Sequence, residues 1–344
     1  MNQISIWKWL SWALIVLGFL NWTDQPAYGN RRLQRRLEQL EETRVCRRCR
    51  LEEVDLSGAD LREVNLQGAN LNGANLQGAN LQGAILDEAI LTEANLEGAN
   101  LSQASLIEAQ LGQANLQGAN LSRGMFNFAR LGQANLENAD LQGASFLAAR
   151  LNRVNLEGAN LTGGDFRNAS FDGASLDGVR LSQGNFQGAS LRETSLRRSS
   201  GFAVNLNRAN LSQADLTDVV LPEVRLTGAV AVGSLWKRAD LSGAALNLGD
   251  FQGANFQEAN LQGAVLSEAL LLGASFRGAN LTYSYLFRAN LTAAGLQGSR
   301  FYGSDLSQVL FRGADLTDAD LTDAIIQGAD FTDAVLTGAT IPQV

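Results

Sequence analysis

Histidine is absent from this 344-residue chain, lysine occurs only as Lys8 and Lys237, cysteine only as Cys46 and Cys49, and proline three times. Without imidazole there is no ordinary Ser-His or Cys-His base and no histidine metal ligand. With two lysines, neither in a G-x-x-x-x-G-K context, no phosphate loop can be drawn. Two thiolates alone leave a zinc site half built. The three prolines and 35 glycines exclude a collagen-like or proline-rich disordered chain, while 45% apolar residues can support a core. These absences lead us to expect no catalytic site, no cofactor and no metal.

Charge is unevenly placed. Residues 30–50 hold eight Arg against three Glu, and residues 51–344 hold 18 basic against 31 acidic side chains, a net −13. An acidic body repels nucleic acid, so direct nucleic-acid binding is not expected, and it attracts proteins that carry basic surfaces.

The first 29 residues contain Lys8, an apolar run from Trp9 to Leu20, and Ala27-Tyr28-Gly29. A cation, a short apolar run and small residues before a break predict a signal peptide cleaved after Gly29. The alternative is an uncleaved anchor over residues 4–20, which approaches the length of a membrane span. Either predicts an exported chain, in the periplasm or a thylakoid lumen, free or membrane-tethered. Residues 30–50 follow as a second unit. Leu33, Leu37 and Leu40 at helical spacing predict a short amphipathic helix with an arginine-rich outer face. It reads as a cap over the structure that follows, or as contact with an anionic membrane surface through Arg31, Arg32, Arg35 and Arg36. Cys46 and Cys49 form a C-x-x-C pair. In an oxidising compartment it closes a local disulfide, and the four neighbouring arginines also permit a reactive thiol.

From Leu51 to Ile341 every fifth residue can be read without an insertion. Of these 59 positions 43 are Leu and 11 Phe, and the exceptions are Gly201, Ala231, Trp236, Ile326 and Ile341. Two places before each, from Val54 to Ala339, sits only Ala, Val, Gly, Ser or Thr. In an α-helix a period of five would smear the large residues round every face, so a helix is excluded. Phe126, Phe146, Phe166 and Phe186 recur at intervals of twenty, as do Phe256–Phe276 and Phe311–Phe331. Four pentapeptides per coil would stack these rings. Asn75, Asn95, Asn115, Asn135 and Asn155 would form an amide ladder on the same register. Ala231 beside Trp236 reads as an exchange of volume between neighbouring centres.

Segments such as Ala69-Asn70-Leu71-Asn72-Gly73 and Ala314-Asp315-Leu316-Thr317-Asp318 resemble the A-[N/D]-L-x-x motif of the pentapeptide repeat proteins. That resemblance implies an all-β fold, a right-handed quadrilateral β-helix over residues 51–344. At twenty residues per coil it has about 14–15 coils and a length of roughly 70 Å at strand spacing. The short helix caps its N-terminal end. Some members of that family resemble B-form DNA and bind DNA gyrase, which supplies one functional alternative.

On the outward positions, Glu137, Glu157 and Asp177 fall in one column and predict an acidic ridge for a basic partner, or a solvated face screened by nearby arginines. Leu270, Leu272, Tyr283, Tyr285, Phe287 and Tyr302 are large apolar residues at outward positions close along the rod, a candidate protein-contact patch. The last coil has no capping helix apparent, which favours an end-to-end homodimer through that coil, or a cap by the last four residues. The leading expectation is a non-enzymatic, exported rod that serves as scaffold or protein-interaction surface. The alternatives are an acidic DNA mimic that binds gyrase, and a redox protein acting through Cys46 and Cys49.

Overall fold

The computed structural model describes residues 30–342. The expected leader or anchor at 1–29, with its apolar segment 4–20, lies outside the described residues. Helix α1 (Asn30–Thr43) leads into a four-sided coil of pentapeptides. Parallel backbone pairs join residues twenty apart, from Val45–Asn65 to Asp320–Thr340. We label the sides a to d by the pentapeptides centred on Leu51, Leu56, Leu61 and Leu66; each recurs every twenty residues.

One turn type builds the corners, the one after Gly201 excepted. Leu71 C=O accepts the Ala74 N–H at 3.0 Å, closing a four-residue turn. Its third residue, here Gly73, has a φ of 63°. Every fifth residue from Arg48 to Gly338 shares this left-handed conformation, with glycine at 25 of the 59 corners. No corner is Val, Ile or Thr, the side chains that tolerate it least. Between corners the ladder continues, with Leu76 N–H donating to Asn95 O at 2.6 Å and Asn95 N–H to Ala74 O at 2.9 Å. Backbone polarity is thus satisfied between coils while the centres are driven inward.

Those centres form one continuous column, with Leu and Phe from Leu66 to Leu321 almost fully buried. Each such side chain contributes about 1.5–3 kcal/mol by leaving water. Phe126, Phe146, Phe166 and Phe186 stack on side d, with centroids 4.6, 5.5 and 4.7 Å apart. Outside them the asparagine column on side b is a hydrogen-bonded ladder. Asn95 donates to Asn75, Asn115 to Asn95, Asn135 to Asn115 and Asn155 to Asn135, at 3.1–3.3 Å. Each Oδ1 also accepts the N–H two residues on, as Asn75 does from Gln77 at 3.2 Å. The side chain therefore helps fix the turn as well as the stack.

At the N-terminal end the coil begins with the pentapeptide Cys46–Arg50, one earlier than Leu51; C-x-x-C belongs to the first coil rather than to the helix. The first coil has no coil beneath it to use the carbonyls of Val45, Arg50 and Asp60. Gln39 donates to Val45 O at 3.2 Å, Arg36 to Arg50 O at 2.7 Å and Arg44 to Asp60 O at 2.7 Å. Leu40 is buried, and Leu33 and Leu37 pack on the core. The helix thus covers the apolar end and supplies donors to the open carbonyls.

Cys46 occupies a centre position, fully buried, and Cys49 a small-residue position; they are joined in a disulfide with Cα atoms 5.4 Å apart. This cross-link closes the first corner under the helix. Replacing both by Ala should lower stability by about 2 kcal/mol, the chain-entropy value for so short a loop. Chemical denaturation with and without reductant checks it: the reductant should destabilise the native chain and leave the double variant unmoved.

At the other end, Ile326, Phe331 and Leu336 of the last coil are only partly buried, and Ile341 is exposed. At the exceptional centre Gly201, the turn bond to Val204 is missing among the described hydrogen bonds, and the Phe202 N–H goes to the Ser182 hydroxyl at 3.3 Å. A Cβ on Gly201 would sit 2.9 Å from the Leu181 backbone, so the loss of the large centre accompanies a local closing of the coil.

Candidate interaction surfaces

The acidic column on side b is not a uniform ridge. Glu157 is exposed and Glu137 half-buried, but Asp177 is only 4% exposed. Asp177 is corrected from a ridge residue to an internal acceptor, because the next coil supplies its donors. Arg197 pairs with it at 2.5 Å, the Ser195 hydroxyl donates at 2.5 Å and the Arg197 N–H at 3.1 Å. Burial opposes its ionisation, yet the bonds from Arg197 and Ser195 outweigh burial and hold its carboxyl below the usual range. Farther along that side, Arg238 and Asp218 form a bidentate pair at 2.6 and 2.7 Å. Both are well exposed, so its contribution is modest.

The six outward apolar residues divide between three sides. Leu270 and Leu272 are 45% and 43% exposed on side a. Tyr302 lies on side c, Tyr283 at the corner between sides c and d, and Tyr285 and Phe287 on side d. The expected single patch is therefore corrected to a tyrosine corner plus a separate leucine pair. The reason is register: outward positions share a side only within one pentapeptide or at multiples of twenty.

At the tyrosine corner, Tyr283 and Tyr302 meet edge to face at 5.6 Å. Tyr283 and Tyr285 are more than half exposed. Tyr283 holds a φ of 58°, an unusual place for a bulky side chain. Arg288 lies over the Phe287 ring at 4.9 Å. The Asp323 carboxylate beside Tyr302 pushes its phenol up from the ordinary value. The arrangement offers flat aromatic faces with polar tips.

Of the four arginines read as membrane contacts, Arg36 is engaged with Arg50 O, Arg32 and Arg35 are exposed, and the Arg31 side chain lies outside the described residues. Asp60, next to the cap, is held down at about 2 by its hydrogen bonds to Arg62. Among the described residues no group of His, Cys, Asp and Glu is arranged to hold a metal ion, and no helix is long and apolar enough to cross a membrane. At the C-terminal end, Asp320, Asp323, Asp330 and Asp333 ring the partly uncovered last coil. A second copy docked tail to tail would meet the same charge.

The sequence reading missed an apolar stripe on side d formed by Met125, Phe128 and Leu147. Its signal was available, because these residues occupy the same outward positions of the repeat as the tyrosines.

The family model described as pentapeptide repeats (8 copies) matches ten segments between residues 49 and 338. No curated protein matches the chain. Among solved structures, the chain is similar to HetL, a pentapeptide repeat protein involved in heterocyst differentiation regulation from the cyanobacterium Nostoc sp. strain PCC 7120. They share 26% identity over 88% of this chain and 94% of that one, with a TM-score of 0.24. It is also similar to Rfr23 from the cyanobacterium Cyanothece 51142, at 29% identity over 41% of this chain and 93% of that one, TM-score 0.24. A third is QnrB1, a plasmid-mediated fluoroquinolone resistance protein, at 23% identity over 53% of this chain and 85% of that one, TM-score 0.26.

Proposed function

The chain belongs to the pentapeptide repeat family, whose fold is the right-handed quadrilateral β-helix, and from that premise we propose that it is a non-enzymatic, exported rod that binds a protein partner along its sides. The tyrosine corner carries this reading. Tyr283, Tyr285 and Tyr302 expose aromatic surface on a rod whose core is already complete, so their burial is available to a partner.

The DNA-mimic alternative is weakened by charge density. B-form DNA presents one negative charge per about 1.7 Å, or roughly 40 over a rod of this length. Residues 51–344 supply a net −13. The redox alternative is weakened by the burial of Cys46 at a core position under the helix.

Export rests on the leader-like composition of residues 1–29. Its test is the N-terminal mass of the protein recovered from fractionated native cells. A soluble chain beginning at Asn30 in an exported compartment is the expected result, and an intact chain in the membrane fraction would make it a tethered rod. An intact, soluble cytosolic chain would sink export and put the gyrase reading first.

A further inference from the structure

Two successive coils are polarised in a way the core does not require. On sides d and a, residues 124–133 and 144–153 carry Arg130, Arg150 and Arg153 and no acidic residue; Glu137 and Asp140 face the opposite sides. Arg130 and Arg150 are parallel ladder neighbours, so like charges stack at strand spacing. Among the described residues none of the three arginines forms an ion pair. Beside them on side d, Met125 is 42% and Phe128 51% exposed, and Leu147 is half-buried. Phe128 stands at the d–a corner with a φ of 61°, where glycine is the commonest residue. An exposed, left-handed aromatic residue and two stacked cations each cost stability, and they meet beside one corner.

Next to the arginines the surface is hollowed. Gly132 is not left-handed, and a Cβ there would meet only the Asn152 carbonyl at 3.8 Å, so neither conformation nor packing demands glycine. The hollow measures about 410 Å³ and is lined by Gly132, Gln133, Asn152, Arg153 and Asp172. Asp172 is already engaged by the Ser190 hydroxyl at 2.5 Å and the Arg192 N–H at 3.3 Å.

We propose that sides d and a over residues 124–133 and 144–153 dock an acidic protein segment. The segment lays apolar side chains on Met125, Phe128 and Leu147 and sets carboxylates on Arg130, Arg150 and Arg153. On the same two sides of a net-acidic rod, Asp87, Glu88, Glu93 and Glu108 precede the site, and beyond it Asp165, Asp172 and Glu193 alternate with Arg167 and Arg192. An extended anionic surface, whether lipid or nucleic acid, would be repelled by the acidic coils before the site, whereas a short segment meets only the cations. This surface is separate from the tyrosine corner and stands or falls without it.

The test is selection of phage-displayed random dodecapeptides on the full chain. It is followed by binding of the enriched peptides to Phe128→Gly and to Arg130→Glu with Arg150→Glu. Enriched peptides should carry net negative charge with at least one aromatic or aliphatic residue. Their affinity should fall by about tenfold or more in either variant, the size expected for losing an anchor or a charge pair. Phe128→Gly places glycine at a corner that favours it, so it should melt at or above the native chain; Arg130→Gln with Arg150→Gln serves if charge reversal disturbs folding. The proposal is overturned if no peptide is enriched, if the enriched peptides are neutral or basic, or if the folded variants bind them unchanged. It is likewise overturned if the corner takes phosphatidylglycerol vesicles or heparin in place of peptides.

Discussion

Phe146→Ala should lower the stability of the rod by about 3–5 kcal/mol. Phe146 is fully buried, and its ring lies between Phe126 at 4.6 Å and Phe166 at 5.5 Å. Truncation removes the transfer energy of the ring and leaves a cavity that the coils above and below cannot close, because their spacing is held by backbone ladders. In a stacked repeat each coil touches only its neighbours, so the damage should be local. Hydrogen exchange should show protection lost first in the coils holding Phe126, Phe146 and Phe166, with the region beyond Trp236 little changed. A uniform loss along the rod would contradict nearest-neighbour packing.

Ala231→Leu and Trp236→Leu should each destabilise the chain alone and largely compensate together. The Trp236 ring stacks on Phe256 at 5.8 Å and meets Phe251 edge-on at 6.5 Å. Its indole N–H donates to the Ser234 hydroxyl at 2.7 Å, which donates to the Ala231 carbonyl at 2.6 Å. A leucine at 231 overfills this level of the core and should cost about 1–3 kcal/mol. A leucine at 236 leaves a cavity of comparable consequence, about 2–4 kcal/mol. The double change restores the commonest centre residue at both positions and should cost less than either single change, with a coupling of about 1–3 kcal/mol. A double-mutant cycle by chemical denaturation measures it. Strict additivity would mean that Ala231 and Trp236 do not share volume.

These two results depend on features visible in the sequence, since the twenty-residue recurrence of phenylalanine already implies four sides and the Ala231–Trp236 exchange stands out against 54 Leu or Phe centres. Other features depend on which residue lies one coil away, and a single pentapeptide does not display that. Asp177 looked like part of a ridge until Ser195 and Arg197 were stacked above it. Arg36 looked like a surface cation because the carbonyl it covers, Arg50 O, is left open only by the absence of an earlier coil. The outward apolar residues were legible one by one, but their grouping was not, because sides repeat at twenty and the eye groups by nearness in sequence. The left-handed corners were half legible. Glycine marks 25 of them, whereas Phe128 and Tyr283 hold the same conformation without it.

The central claim is that the rod works through side-chain contacts at defined corners, with the tyrosine corner foremost. It is tested most directly by site-specific photo-cross-linking of the full chain in its native cells. A photoreactive phenylalanine analogue replaces Tyr285 in one strain and Gln117, on side b, in another. The account predicts a discrete protein adduct from position 285 that is lost when Tyr283 and Tyr302 are changed to Ser, and none from position 117. Equal adducts from both positions, or none from 285, would contradict it.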